Sequence, residues 1–151
     1  MIKKRDLATA LLGSSVGIIL WLTVLSREST TDIAYSAPLH TFVFFLRNIQ
    51  RGIRGNLLGN ILLFIPFGFL LPIVWNKRFW RITGTGAALS LLIEISQLIM
   101  HRGVCDIDDI ILNTFGVTIG YALYKGIEKI IIKRTAKCAL FKDKFIIESD
   151  K

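Results

Sequence analysis

Glu94 and Gln97 stand three residues apart, and Asp106, Asp109 and Asn113 follow at spacings of three and four. Residues three or four apart share one face of a helix. A helix over each stretch therefore sets a carboxylate beside an amide, then two carboxylates above a second amide. Gly116 and Gly120 prolong the second stripe, Arg102 lies between the two stretches, and Asn56 and Asn60 form a further i, i+4 pair upstream. These groups suit a particular chemistry. Glu94 could exchange a proton as general acid or base, with its pKa raised by its surroundings. Asp106 and Asp109 could polarise a hydroxyl or hold a cation, and Arg102 could grip a phosphate bidentately. Asn60, Gln97 and Asn113 could bind substrate through their carboxamides. No Ser-His or Cys-His arrangement accompanies them, His40 and His101 have no partner pattern, and no metal-ligand motif is present. The cofactor requirement is unknown at this stage.

The elements that must carry these residues follow from hydropathy. The chain has 151 residues, 52% of them apolar and only 20% charged, and a mean hydropathy of +0.55. Soluble domains carry roughly a quarter charged residues, and disordered chains are far less apolar. Two cysteines are too few for a disulfide scaffold. Four segments run almost without charge: Leu7–Leu25, Leu57–Trp75, Ile82–Met100 and Ile107–Tyr124. A hydrocarbon core of ~30 Å takes about 20 helical residues. The expected fold class is therefore all-α: a polytopic membrane bundle of four transmembrane helices in a single domain over residues 1–151. Lys3-Lys4-Arg5 ahead of the first span resembles a signal-peptide start. The apolar run is too long for one and lacks a small-x-small cleavage site, so it reads as a retained span. Phe42–Leu46, in the loop after it, is too short to cross and reads as interfacial.

The net charge of +8 reads as orientation, not as nucleic-acid binding, because no aromatic-basic interleaving accompanies it. With the N-terminus inside, 14 of the 19 Lys and Arg fall on the inner side, including the basic tail over residues 125–151 that prolongs the fourth helix. Only Arg27, Arg47, Arg51, Arg54 and Arg102 fall outside. The N-in/C-in topology puts Glu94 ~9 Å below the outer boundary. Asn56, Asn60, Asp106 and Asp109 lie at that boundary, with Asn113 somewhat deeper. The polar residues of three helices thus gather in the outer half. An ionisable group at such depth costs at least ~2.5 kcal/mol near the helix centre, so Glu94 needs a partner, either Arg102 or a proton. Stapling of the helices is the plainer reading, but interhelical hydrogen bonds average only ~0.6 kcal/mol. Gly116-x3-Gly120, Gly59 and Gly68 read as sites of close helix approach, and Pro66 and Pro72 as kinks in the second span.

Three stretches, taken together in order, resemble one family: Asn60-x3-Phe64-x-Pro66-x-Gly68, Glu94-x2-Gln97-x4-Arg102, and Asp106-x2-Asp109-x3-Asn113-x2-Gly116-x3-Gly120. This set is similar to the VanZ-like family of small bacterial membrane proteins, over residues 56–124. The resemblance implies a multi-pass protein of the bacterial cell membrane. The family's founding member is associated with lowered susceptibility to the glycopeptide teicoplanin, and the resemblance supplies no mechanism. Glycopeptides act outside the cell on lipid-anchored wall precursors, the side on which the topology sets the polar cluster.

The expected function is action at the outer leaflet on an envelope lipid or lipid-linked cell-wall precursor. The alternatives are a non-catalytic binder of such a lipid, or of a lipoglycopeptide's tail, that limits antibiotic access, and an accessory protein or small transporter with the glycine stripe mediating a homo-oligomer. Whether the chain is an enzyme stays open. The topology is directly testable. A membrane-impermeant thiol reagent on intact cells is expected to label Cys105 and spare Cys138; the opposite pattern reverses the orientation.

Overall fold

A computed structural model of the chain describes residues 3–26, 56–75, 78–101 and 106–149. They form four helices. Helix α1 (Lys4–Leu20) runs on into a π-helical turn, Trp21–Leu25, closed by the Ser26 N–H donating to the Trp21 carbonyl at 2.8 Å. Helices α2 (Asn56–Trp75), α3 (Phe79–Ile99) and α4 (Ile107–Ser149) follow, with no strand among the described residues. All four are long and apolar enough to cross a membrane, over Lys4–Leu25, Leu58–Trp75, Phe79–Ile99 and Ile107–Ala136. The expected spans are therefore present, with three residues more at the start of α1 and of α3. Helix α4 continues unbroken through the basic tail. The apolar loop stretch Phe42–Leu46, Arg102 and Cys105 lie outside the described residues, as does the side chain of Asn56.

The surface is what a hydrocarbon solvent selects. Among the described residues ten of the buried ones are polar or charged and nine are apolar, while leucines and isoleucines on every helix stand exposed. Each backbone group must be satisfied internally in such a medium, which helices achieve. Hydroxyls follow the same rule: Thr9, Ser14, Thr85, Ser96, Thr114 and Thr118 each donate to the carbonyl four residues back. Trp75, Trp80 and, at the opposite end, Trp21 are exposed near helix ends, as interfacial aromatics are. Pro66 and Pro72 sit inside α2, which stays helical through both; each lacks the N–H that would reach the carbonyl four residues earlier.

Helix α2 packs against both α4 and α1, and α3 packs against α4 and the π turn of α1. The α2–α4 seam is made by glycine. A Cβ at Gly116 would overlap the Ile61 carbonyl oxygen, one at Gly120 the Ile65 carbonyl oxygen, and one at Gly68 the Val117 backbone. Small residues let helix backbones approach this closely, and van der Waals packing then replaces the hydrophobic effect as the force between spans. Val117 is fully buried between Gly68 and Gly86, beside Phe64, Phe67 and Leu71. Two expectations are corrected. Gly59 makes no close approach, since nothing lies within 4 Å of its missing side chain. Gly116 and Gly120 are spent inside the chain, so this stripe is not available to join two copies.

The seam makes a stability prediction. Gly120→Ala is expected to lower the unfolding free energy in bicelles by about 3 kcal/mol, the upper part of the overpacking range, because backbone obstructs the added methyl. Gly126→Ala, in open space, is expected to change it by less than about 1 kcal/mol. Equal losses at both sites would show that the seam does not hold the bundle.

Candidate functional site

The helices alternate in direction, so the end of α1, the start of α2, the end of α3 and the start of α4 meet at one end of the bundle. The chain reverses between α3 and α4 at His101, which takes a left-handed conformation with φ 51°. Its N–H donates to the Leu98 carbonyl at 3.3 Å, the bond that closes a helix C-terminus. Few residues without glycine's freedom adopt this geometry, and His is among those enriched in it. The turn sets Glu94 opposite the start of α4.

Helix α4 begins with a cap made by its own acids. The Asp106 carboxylate accepts the Asp108 N–H at 2.9 Å, and the Asp109 N–H donates to the Asp106 carbonyl at 3.2 Å. A capping box would use an acid in the first turn of the same helix to receive the cap residue's own N–H. Here the acid comes from α3: the Asp106 N–H donates to Glu94 Oε2 at 2.9 Å. Glu94 is 2% exposed. A helix N-terminus offers unsatisfied N–H groups and the positive end of the macrodipole, which is the partner this buried carboxyl needs.

The remaining polar residues extend the cluster in two directions. Asn60 of α2 donates through Nδ2 to Asp109 Oδ1 at 2.5 Å, a contact that the close α2–α4 approach permits. Deeper along the α3–α4 interface, Asn113 Nδ2 donates to Ser90 Oγ at 2.8 Å. Toward α1, Gln97 Nε2 donates to the Thr23 carbonyl oxygen at 2.7 Å, in the π-helical turn where carbonyls run out of helical partners. All of Asn60, Ser90, Glu94, Gln97, Asp106, Asp108, Asp109 and Asn113 are buried. Among the described residues no three His, Cys, Asp or Glu side chains converge so as to hold a metal ion.

Two oxygens in this cluster have no hydrogen-bond partner among the described residues: Gln97 Oε1 and Asn113 Oδ1, on residues 1% and 3% exposed. An unpaired buried polar atom costs about 1–3 kcal/mol, and native structures hold few of them.

The six expected site residues Asn60, Glu94, Gln97, Asp106, Asp109 and Asn113 thus come together, and Arg102 lies outside the described residues. Three further participants were not foreseen. Asp108 lies off the Asp106–Asp109 stripe and is therefore not among the expected site residues, yet it is 4% exposed at the helix start. The run Asp-Ile-Asp-Asp is a helix N-terminus signature that would have drawn attention to it. Ser90 is four residues before Glu94 and so on the same face. Thr23 contributes a backbone carbonyl, for which no side-chain pattern gives a signal.

The chain is 39% identical over 69 residues to Protein VanZ of Enterococcus faecium, a match covering 45% of this chain and 43% of that protein. The aligned stretch is thus less than half the length of the relative. No solved structure matches. The model of the VanZ/LLP1 family matches residues 12–132, from within α1 through the spanning part of α4. By that match the chain is a multi-pass membrane protein belonging to the VanZ/LLP1 family.

Proposed function

We propose that the cluster is a site for an envelope lipid or lipid-linked cell-wall precursor, facing the outer leaflet in an N-in/C-in topology. Its action lowers susceptibility to glycopeptides such as teicoplanin. One observation carries the functional reading over a purely structural one: Gln97 Oε1 and Asn113 Oδ1, buried in the same cluster as Glu94, have no partner among the described residues. A buried acceptor left open costs stability, and a donor on a bound ligand is one group that satisfies it. Glu94 is the proton-exchanging group, held against Asp106 by the capping bond. Asp109, fixed by Asn60, is positioned to orient a substrate hydroxyl. The two open carboxamide oxygens accept hydrogen bonds from hydroxyl or amine groups of the bound headgroup, and Arg102 supplies the counter-charge for a phosphate.

The test is genetic and then chemical. Glu94→Gln, Asp106→Asn and Asp109→Asn are each expected to abolish the teicoplanin-resistance increment while the protein still accumulates in the membrane. Full resistance in all three would remove the site from the function. Incubating purified protein with envelope lipids and following their masses separates the two modes of action. A changed mass identifies an enzyme, and retention of an unchanged lipid identifies a binder.

A further inference from the structure

Beside the cluster, between α1 and α2, runs an open groove of about 500 Å³ lined by Leu11, Ser15, Ile18, Leu63, Pro66 and Leu70, with Gly59 and Leu62 among its other walls. We infer that this groove seats one fatty-acyl chain of a bilayer lipid whose headgroup reaches the polar cluster. The inference rests on the lipid-site reading above and names the part of the lipid that the chain positions.

Three features support an acyl chain as the occupant. The first is length. From Gly59 to Leu70 is eleven residues, a rise of ~16 Å, and one leaflet of a ~30 Å hydrocarbon core is ~15 Å deep. A polyprenyl chain, with a methyl on every isoprene unit and a length beyond one leaflet, fits such a groove poorly. The second is lining. The walls are apolar except for two serines, and the Ser14 hydroxyl is already donated to the Ala10 carbonyl at 3.0 Å. The third is continuity with the site. Gly59 at the end of the groove precedes Asn60, whose amide is bonded to Asp109. A chain lying in the groove therefore ends at the depth of the carboxylates, one residue along α2 from Asn60. Gly59 has open space where a side chain would stand, and that space is the mouth of the groove.

The groove gains nothing from the hydrophobic effect, because lipid tails outside it are equally apolar. It acts by position. One tail held between α1 and α2 brings its headgroup to the cluster repeatedly and in one orientation, the advantage that proximity gives a reaction or a binding event. Volume is in the range of small-molecule sites, about 300–1,000 Å³.

The experiment uses the full chain in vesicles of phosphatidylethanolamine and phosphatidylglycerol, doped with phosphatidylglycerol bearing a diazirine on one acyl chain. After irradiation, adducts are mapped by mass spectrometry. They are expected to concentrate on 11–18 and 59–70, several-fold above the similarly exposed Leu91, Leu92, Ile111 and Phe115. Gly59→Leu sets a side chain at the mouth, where a Cβ meets nothing within 4 Å, and is expected to bring groove labelling down to the level of those positions. Gly13→Leu, also in open space but off the groove, leaves the pattern unchanged. Uniform labelling of all exposed faces overturns the inference, even where Glu94→Gln has abolished resistance and the site reading stands. Preferential labelling with full Glu94→Gln resistance overturns the site reading instead. Two further results also overturn the acyl assignment: stronger competition by polyprenyl phosphate than by phosphatidylglycerol, or disulfide-linked dimers of Gly59→Cys in a chain otherwise free of cysteine.

Discussion

The arrangement depends on how closely the backbones of α2 and α4 approach. Helices separated by ordinary side chains stand 8–10 Å apart. At Gly68, Gly116 and Gly120 there is no side chain to hold them off, and carbonyl oxygens of α2 fill the space where α4 lacks a Cβ. That contact fixes the rotation of both helices. It directs Asn60 of α2 at Asp109 of α4, and it leaves the adjoining edge of the same α4 stripe, at Asn113 and Val117, for α3. Once α3 packs there, Ser90 meets Asn113 and Glu94 meets the first turn of α4. Cohesion comes from the seam, so the polar residues at the end of the bundle are not needed to hold it.

The cluster draws its electrostatics from the same source. Asp106, Asp108, Asp109 and Glu94 gather at the N-terminus of α4, a helix of 43 residues. Acids at a helix start meet free N–H groups and a partial positive charge, and in a medium of low dielectric such contacts gain strength. Burying an acid near a membrane's interior is expensive, and the capping bond to the Asp106 N–H offsets part of that for Glu94. The amide oxygens of Gln97 and Asn113 that find no partner among the described residues add a cost of their own. A site can keep such groups only where the surrounding packing supplies the stability they cost, as the glycine seam does here.

Much of this was legible in the residues alone, because lipid imposes simple rules. A segment that must cross hydrocarbon shows an unbroken apolar run, so the four helices could be read from hydropathy. Polar residues in such runs stand out, and their spacing of three, four and seven put Glu94 with Gln97, and Asp106 with Asp109 and Asn113, on single faces. Hydropathy carries no information about which glycine meets a neighbour. Gly59 and Gly116 look alike in sequence and differ only in where the helices pack. Asp108 falls outside the stripe because the stripe argument assumes a helix already under way. At a first turn the cap draws in neighbouring acids regardless of face. The groove between α1 and α2 is a property of two surfaces and has no signature in either segment.

On the function proposed above, labour is divided: glycine packing holds the bundle, and the polar cluster serves the site. The combined variant Glu94→Gln, Asp106→Asn, Asp109→Asn tests it most directly. Each replacement is nearly isosteric and retains an oxygen for the hydrogen bond its parent accepts, and Asn caps a helix as well as Asp does. Its unfolding free energy, measured in bicelles beside that of the unaltered chain, is predicted to lie within about 1 kcal/mol, given interhelical hydrogen bonds of ~0.6 kcal/mol on average, or to rise as buried charge is removed. A loss of more than about 3 kcal/mol, the scale of a broken buried ionic network, would contradict the account and make the carboxylates the structural staple of the fold.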